Sequence, residues 1–288
     1  MDAIPRQEVV ARGEGGVPLF CRRVGSEHAA GHLIFVHGYG EHAGRYLELF
    51  DALALSGSLC VHALDLRGHG RSGGRPGFVE RFDDYLDDVD VLAERIPADR
   101  PVFVMGHSMG GLVLARWLEE GRGAAAGAVF ASPYLRLARP PPPLKVAIGR
   151  AIGLAIPWIR LPSGLRIEDL TRDPGWRVAT RRDPLYRTIA TPRWFDESNA
   201  AQALALAEAG RIAAPSLVLV PEADAIASPD AARAFFAALG AADKRFVTYA
   251  GARHELFHEL PDTRREAIAE VERFVSARLS ASGIAGTM

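Results

Sequence analysis

The sequence predicts an α/β fold: a mostly parallel sheet, flanked by helices on both faces and interrupted by one helical insertion. Short apolar runs alternate with longer segments in which apolar residues recur at helical spacing. The runs at 32–36 and 127–131 are apolar at nearly every position, which is typical of strands buried on both faces. The alternation stops at Tyr134 and resumes near Ser216, so the insertion lies between these points.

The first half opens with a predicted β-hairpin, because two strand-like segments flank the glycine-rich turn 13–16. The helices that follow have apolar residues on one face; in 82–96 these recur every three or four positions above a charged face. In chain order we predict strands at 7–12, 17–24, 32–36, 58–64, 102–105 and 127–131, and helices at 44–56, 82–96 and 112–118.

The insertion, residues 134–198, is predicted to form a mostly helical cap. A proline run occupies 140–143, and the later part, 162–197, is polar, rich in arginine and without a predicted strand. The cap divides the core into residues 1–133 and 199–288. After the cap we predict strands at 216–220 and 245–249, helices at 229–239 and 261–279, and a frayed tail at 280–288.

The composition gives no reason to expect a nucleic-acid partner, because the formal net charge of the 288 residues is −1. Cys21 and Cys60 are too few for a disulfide framework and lack metal-ligand spacing, so we expect buried free thiols and no metal or cofactor. No segment has the pattern of a signal peptide or of a membrane span, which predicts a soluble cytoplasmic protein. The sequence does not indicate an oligomeric state.

The pattern G-x-S-x-G occurs at 106–110, between an apolar run and a segment with helical spacing. A strand, a sharp turn and a helix in this order form a nucleophile elbow, in which strand and helix pass too closely for side chains beside the serine. Ser108 is therefore the candidate nucleophile. A second match at 70–74 contains Ser72, but no strand precedes it and no helix follows it, so we interpret it as a glycine-rich loop.

A serine hydroxyl becomes a nucleophile when a base removes its proton and an acid orients that base. On a sheet of this kind the three residues follow the chain order serine, acid, histidine. Of the nine histidines, only His254 and His258 lie beyond the acids that follow strand 216–220. His254 comes directly after strand 245–249 and is the candidate base; the alternative is a surface histidine without a catalytic role.

The acid is expected in the loop after strand 216–220, where Glu222, Asp224 and Asp230 are available. Asp224 is best placed, just beyond the strand and before the next helix. Asp230 falls in the first turn of that helix, where acidic residues are common without a catalytic role. Glu222 is the second choice.

Acyl transfer also needs two hydrogen-bond donors for the oxyanion of the tetrahedral intermediate. We expect one from the backbone N–H of Met109, at the start of the helix after the serine. The other is expected from the backbone of Tyr39, in the segment 37–40 that follows strand 32–36. The alternative for 37–40 is a simple turn.

Together these segments resemble the monoacylglycerol lipase and lysophospholipase branch of the α/β-hydrolases. The resemblance covers nearly the whole chain, and the ordered set of motifs is specific although each motif alone occurs in many hydrolases. The matching segments are HGYGEHAGRY (37–46), DLRGHGRSGG (65–74), GHSMGG (106–111), ASPYLRL (131–137), the residues around Asp224, and YAGARHELFHE (249–259).

The resemblance implies an eight-stranded α/β-hydrolase sheet with the cap inserted after the sixth strand. It also implies that the cap carries an acyl-chain tunnel and contacts lipid. By resemblance, the site consists of the catalytic triad Ser108, Asp224 and His254, the oxyanion amides of Tyr39 and Met109, and a polar glycerol pocket that includes Glu41, Arg45 and His107.

For three features of the sequence, a second interpretation is also compatible with the residues. Glu41 and Arg45 are four residues apart and can equally form a plain helical ion pair. Loop 65–74 can be purely structural, with Asp65 paired to a nearby arginine. The apolar stretch 144–161, which contains three basic residues, can dock transiently on a membrane surface or fold over the pocket.

The sequence therefore predicts a serine carboxylic-ester hydrolase that acts on lipid-like esters, above all monoacylglycerols, through an acyl-enzyme at Ser108. Lysophospholipase and general carboxylesterase activity are alternatives, and serine peptidase activity is a weaker one. Epoxide hydrolases and haloalkane dehalogenases are disfavoured because those relatives carry aspartate in place of Ser108. A non-catalytic ligand-binding protein on the same fold is the alternative from a different class.

Overall fold

The computed structural model describes residues 4–55 and 57–281. Its main sheet contains β1 (Arg6–Arg12), β2 (Pro18–Val24), β3 (Gly31–Val36), β4 (Leu59–Leu64), β5 (Val102–His107), β6 (Gly127–Ala131), β9 (Ser216–Pro221) and β10 (Lys244–Tyr249). A separate pair consists of β7 (Leu161–Pro162) and β8 (Ile189–Ala190). In space the main sheet runs β1-β2-β4-β3-β5-β6-β9-β10.

Strand β2 pairs antiparallel with β1 and β4, and all other pairs in the main sheet are parallel. Every residue of β3, β4, β6 and β9 is buried, as expected for strands covered on both faces. The predicted mostly parallel, eight-stranded sheet is confirmed. Because parallel strands end at the same edge, the loops after β3, β5, β6, β9 and β10 meet there.

Five helices cover the sheet: α1 (Leu47–Leu55), α2 (Asp83–Ala93), α3 (Met109–Glu119), α8 (Pro229–Ala238) and α9 (Pro261–Ala281). They close two hydrophobic cores. One core includes Tyr85 of α2 and Phe235 of α8, and the other includes Phe50 of α1 and Val271 of α9. Each predicted core helix is present. Helix α1 begins later than predicted because 43–46 form a 3₁₀ turn.

Three further predictions concern the ends of elements and the bulk properties. Residue 56 and the tail 282–288 lie outside the described residues, whereas residues 280 and 281, predicted as frayed, continue α9. Cys21 and Cys60 are buried free thiols, as predicted. Within the described ranges, no helix has both the length and the apolarity needed to cross a membrane.

The insertion contains α4 (Pro143–Ala155), α5 (Ile167–Leu170), α6 (Pro174–Arg182) and the first part of α7 (Pro192–Glu208). The expectation that 162–197 lacks a strand is wrong, because β8 pairs with β7 across α5 and α6. A strand of two residues is too short to show a periodicity in the sequence. Helix α7 continues past residue 198, and its Ala205 is part of the core.

Candidate active site

Ser108 lies at the sharp turn between β5 and α3. Its backbone has φ 51° and ψ −116°, a conformation that residues other than glycine rarely adopt. A Cβ on Gly106 would lie 2.3 Å from the carbonyl oxygen of Gly110, and a Cβ on Gly110 would lie 2.0 Å from that of Val36. Only glycine fits at these two positions because strand and helix approach so closely.

The turn at Ser108 is held by the end of β6. The Ser108 N–H donates to the carbonyl oxygen of Ala131 at 3.0 Å, and the Ser108 carbonyl oxygen accepts from the Tyr134 N–H at 3.0 Å. Hydrogen bonds on both sides of the serine support its strained backbone. The position of the hydroxyl is therefore determined by the sheet rather than by a mobile loop.

The structure brings Ser108, Asp224 and His254 together in one chain of hydrogen bonds. His254 Nε2 lies 2.8 Å from Ser108 Oγ, and His254 Nδ1 lies 2.7 Å from Asp224 Oδ2. The other carboxylate oxygen, Oδ1, accepts from the N–H groups of Ile226 (2.8 Å) and Ala227 (3.0 Å). Because these amides orient the carboxylate, Oδ2 faces the imidazole and favours the tautomer with a proton on Nδ1.

Opposing influences act on the pKa of His254. Burial, the largest single influence, lowers it, whereas the charge and the hydrogen bond of Asp224 raise it, with smaller contributions from Glu255 and Glu41. The carboxylates together outweigh burial, so the pKa of His254 is raised above its usual 6.5. The imidazolium that forms when His254 accepts a proton is thereby stabilised in a buried site.

The other candidates for the triad lie elsewhere. Glu222 and Asp230 are both exposed, and Asp230 belongs to the first turn of α8. His258 is buried and faces a cluster of charged groups instead of the serine.

Loop 65–74 has a structural role. The Ser72 hydroxyl is bound to backbone groups, donating to the Asp65 carbonyl oxygen and accepting from an N–H of β2. The expected pairing of Asp65 with an arginine side chain is wrong. Its carboxylate accepts from the backbone N–H groups of Ala43 and Arg71, both at 2.9 Å, because the folded loop directs these amides at it.

Tyr39 and Met109, the two residues predicted to donate to the oxyanion, both lie close to Ser108. Met109 is the first residue of α3, so its N–H has no carbonyl partner within the helix. The loop that contains Tyr39 touches the serine, since a Cβ on Gly38 would lie 3.1 Å from Ser108 Cβ. The Tyr39 hydroxyl lies 2.8 Å from the carbonyl oxygen of Ile189 in β8, so this side chain ties the core to the cap.

A buried polar cluster lies beside the triad and is centred on Glu41. Glu41 Oε1 accepts from the Gly38 N–H (2.6 Å) and the Tyr46 hydroxyl (2.7 Å), and lies 3.0 Å from His107 Nδ1. Glu41 Oε2 accepts from Arg45 Nε at 3.1 Å. Burial opposes ionisation most strongly, yet His107 and Arg45 together hold the pKa of Glu41 well below its usual range.

Arg45 extends this cluster to Glu255 and to the cap. Its Nη2 donates to Glu255 Oε2 at 2.7 Å, and its Nη1 donates to Thr180 Oγ1 of α6 at 2.9 Å. His258 Nδ1 lies 2.8 Å from the same Glu255 oxygen, and its Nε2 lies 3.1 Å from the Arg45 carbonyl oxygen. Both ring nitrogens of His258 therefore face hydrogen-bond acceptors.

The residues implied for the glycerol pocket take different places. Glu41 and His107 line the cavity in front of Ser108, whereas Arg45 lies behind them and does not line it. The Glu41–Arg45 ion pair exists, but it is fully buried and outside any α-helix, so it is not a plain helical pair. Glu255 also lines the cavity and was not predicted; its only signal in the sequence is its place next to His254.

The cavity in front of Ser108 is lined by both polar and apolar side chains. Its apolar lining includes Leu137, Leu165, Leu170, Trp194, Phe195 and Ile226. Ser163, Ala190 and Phe195 also line a second, mostly apolar cavity of about 440 Å³ that extends along α4. The two cavities are therefore neighbours, and the second lies against the insertion.

Within the described residues, two buried groups combine several atoms that can bind metals. One group consists of His32, Cys60 and His62. His32 and Cys60 lie near the amino ends of β3 and β4, away from Ser108, and His62 lies further along β4 with its Nε2 3.0 Å from His32 Nδ1. The second group, Glu41, Glu255 and His258, belongs to the cluster around Arg45, whose guanidinium is paired with both carboxylates.

Comparison with known proteins gives consistent matches. The family model described as Serine aminopeptidase, S33 matches residues 27–261. The chain is 34% identical to human monoglyceride lipase over 279 residues, which are 94% of this chain and 90% of that protein. It is 29% identical to phospholipase YtpA of Bacillus subtilis over 238 residues, which are 79% of this chain and 88% of that protein.

A solved structure supports the fold assignment. The monoacylglycerol lipase of Paleococcus ferrophilus is 29% identical, covers 96% of this chain and 100% of its own, and has a TM-score of 0.78. The family model spans most of the chain, including the elbow, the acid loop and the histidine loop. The chain therefore belongs to the serine aminopeptidase S33 family of α/β-hydrolases.

Proposed function

We propose that this protein hydrolyses monoacylglycerols through an acyl-enzyme formed on Ser108. The observation that supports this most directly is the hydrogen-bonded chain from Ser108 through His254 to Asp224, in which Ser108 and His254 line a cavity that also has apolar side chains in its wall. A buried, aligned nucleophile and base of this kind serve acyl transfer, and the class of substrate is a carboxylic ester.

The reaction follows from the geometry. Ser108 Oγ attacks the ester carbonyl carbon while its proton passes to His254 Nε2, and Asp224 stabilises the imidazolium through Nδ1. The N–H groups of Tyr39 and Met109 bind the oxyanion of the tetrahedral intermediate. His254 then donates its proton to the departing alcohol, and water releases the fatty acid by the same steps in reverse order.

The substrate assignment rests on the polar and apolar groups that line the two neighbouring cavities. The carboxylates of Glu41 and Glu255 and the imidazole of His107 offer hydrogen-bonding groups for the hydroxyls of a glycerol leaving group. Residues 134–198 act as a cap whose apolar side receives the acyl chain in the cavity along α4. Relatives named monoglyceride lipase in human and mouse, each 34% identical, support the same assignment.

The test is hydrolysis of a panel of monoacylglycerols, triacylglycerols, lysophospholipids and a p-nitrophenyl ester. We expect the highest kcat/KM for monoacylglycerols, and loss of turnover by about 10⁴-fold or more in Ser108→Ala. Ser72→Ala is the matched control and keeps wild-type kcat. Equal, slow turnover by wild type and Ser108→Ala would contradict the enzyme assignment, and a preference for lysophospholipids would contradict the substrate.

The same panel addresses a second candidate, phospholipase activity, which the Bacillus subtilis relative favours by its name. A lysophospholipid places a phosphate where a monoacylglycerol has a hydroxyl. Two carboxylates, those of Glu41 and Glu255, line the cavity here, so a phosphate would meet like charges. We therefore place monoacylglycerols ahead of lysophospholipids.

Helix α4 supports a transient contact with membranes. It has no acidic residue, and its exposed apolar side chains include Leu144 and Leu154, which are 72% and 91% exposed. The two interpretations of this stretch are compatible, because other residues of α4 line the apolar cavity. The two free thiols fit a reducing compartment, so we propose a cytoplasmic protein that reaches lipid by peripheral contact.

Sedimentation with vesicles of phosphatidylcholine and a minor fraction of phosphatidylglycerol tests this contact. We expect Leu144→Glu with Leu154→Glu to abolish the bound fraction while kcat on a soluble p-nitrophenyl ester stays unchanged. Val10→Glu, on the edge strand β1 and 66% exposed, is the matched control and should bind as wild type does. Unchanged binding of the α4 variant would remove the proposal.

A further inference from the structure

Among residues 4–55 and 57–281, two residues other than glycine have a positive φ, and both are serines that follow a strand of the sheet. One is Ser108 after β5, and the other is Ser132 after β6, with φ 47°. Glycine and asparagine adopt this region readily, whereas serine is strained there. A serine in a backbone conformation that glycine would adopt without strain indicates that its hydroxyl has a role.

The Ser132 hydroxyl binds the backbone of the candidate base. Its Oγ donates to the carbonyl oxygen of His254 at 2.7 Å, and the same oxygen lies 3.3 Å from His107 Nε2. Ser132 is 2% exposed, so water cannot take the place of the hydroxyl. Its own N–H donates to the carbonyl oxygen of Leu219 in β9 at 2.8 Å, which holds the residue in place.

The end of β6 and the turn after it thus contact Ser108, His254 and the strand that leads to Asp224. Ala131 accepts from the Ser108 N–H, and Ser132 is bound to β9, the strand that leads to Asp224. The hydroxyl of Ser132 completes the set by binding His254. His254 lies in a loop and not next to a strand end that is bonded to the sheet, as Ser108 is. The hydrogen bonds of Ser132 therefore give His254 the support that the sheet gives to Ser108.

We propose that Ser132 is a positioning residue, whose hydroxyl holds the His254 backbone so that the imidazole spans Asp224 and Ser108. This rests on the proposed function, because only a working base requires that placement. The imidazole contacts of 2.7 and 2.8 Å leave little room for movement of the histidine loop. Displacement by a few tenths of an ångström lengthens at least one of them.

Two substitutions separate this role from a simple contribution to stability. Ser132→Ala removes the hydroxyl and keeps the strain, whereas Ser132→Gly removes the hydroxyl and relieves the strain. We expect kcat for a p-nitrophenyl ester to fall about 10- to 100-fold in both variants, with KM within about twofold. The Tm of Ser132→Gly should be higher than that of Ser132→Ala, so activity and stability separate.

The matched control is Ser216→Ala. This hydroxyl also donates to a backbone carbonyl oxygen, that of Ala214 at 2.8 Å, but it lies at the amino end of β9, opposite the site. We expect wild-type kcat. A second readout is the pH profile: a His254 that moves away from Asp224 becomes protonated only at lower pH, so the acid limb of kcat/KM shifts to lower pH in both Ser132 variants.

Two results overturn the proposal. One is a Ser132→Gly enzyme with wild-type kcat and an unshifted acid limb. The other is a loss of kcat in Ser132→Ala that Ser132→Gly restores, since activity would then follow strain alone. Failure of the proposed function is recognised separately, because wild type would then show no turnover that depends on Ser108.

Discussion

At the scale of single residues, His254 shows how the site sets its working pH. A general base must be neutral to accept a proton, and the carboxylates around His254 raise the pH at which it becomes neutral. The same carboxylates stabilise the charged form that appears during the reaction. Asp224 makes the largest contribution to both effects among the carboxylates, because it is in direct contact with the imidazole.

We predict that kcat/KM rises with pH through a midpoint above 6.5, because the pKa of His254 is raised and its protonated form is inactive as a base. A pH series with a neutral p-nitrophenyl ester measures the midpoint. Ionic strength is held constant, so that the screening of the charges around His254 is the same at every pH. A midpoint below 6.5 would show that burial outweighs the carboxylates.

Asp224→Asn is predicted to lower kcat by about 10⁴-fold while the fold is retained. The asparagine oxygen can still accept from the Ile226 and Ala227 amides, but its NH₂ group then faces His254 Nδ1 and favours the wrong tautomer. Asp230→Asn, exposed in the first turn of α8, is the control and should have wild-type kcat. Similar losses in both variants would contradict the assignment of the acid.

At the scale of elements, α4 has two interior glycines with different surroundings. A Cβ on Gly153 would lie 2.7 Å from Pro192 Cβ at the start of α7, whereas a Cβ on Gly149 would have no atom within 4 Å. The close approach at Gly153 allows α4 to pack on α7. The two glycines therefore provide a matched pair for testing how the cap is held.

We predict that Gly149→Ala stabilises α4 by up to about 1 kcal/mol, through helix propensity alone. Gly153→Ala gains the same propensity but costs about 1–3 kcal/mol by overpacking against α7. Cleavage within α4 by a protease should be faster in Gly153→Ala and slower in Gly149→Ala. Equal cleavage rates in the two variants would indicate that the contact with α7 does not hold the cap.

At the scale of the whole molecule, the cap and the core meet across buried charges. Arg45 of the core donates to Thr180 of the cap, and the His258 ring packs against that of Trp176 in α6, with ring centroids 4.0 Å apart and the planes tilted by 35°. Burial is the strongest influence on Glu255 and opposes its ionisation, but Arg45 and His258 outweigh it and lower the pKa of Glu255 to about 2. The cluster therefore connects the contacts between cap and core with the charge of Glu255 beside the triad.

Arg45→Met is predicted to lower the free energy of unfolding by about 3–5 kcal/mol at neutral pH, because two buried carboxylates lose their cation. The depressed pKa of Glu255 stabilises the fold above about pH 4.5, and this contribution is lost as the pH falls towards 2. The difference between wild type and Arg45→Met should therefore shrink over that range in urea unfolding experiments.

The control for this substitution is Arg6→Met, which removes an ion pair with Asp51 in which the side chains are 50% and 35% exposed. An exposed pair contributes at most about 1 kcal/mol, with little dependence on pH. A loss of the same size in both variants, or a constant difference between pH 4.5 and 2, would contradict the role of the buried cluster.

By itself, the sequence determined the α/β architecture and the candidates for the site. Continuous apolar runs and helical periodicity are local signals, and burial on both faces of a parallel sheet requires them. The glycines around Ser108 and the chain order of the acid and the histidine are likewise visible without coordinates. Each of these signals depends only on residues that are neighbours in the chain, or on the order in which the residues follow one another.

Only the tertiary structure decided which residues share a buried cluster and which face the substrate cavity. Glu255 and Arg45 are 210 positions apart, and β7 and β8 pair over two residues each, so no local pattern indicates either contact. The hydroxyl of Ser132 meets the His254 carbonyl oxygen for the same reason. Loops that follow different strands come into contact only when the sheet has formed and its strand ends lie at one edge. A sequence pattern predicts the individual strands but not these contacts.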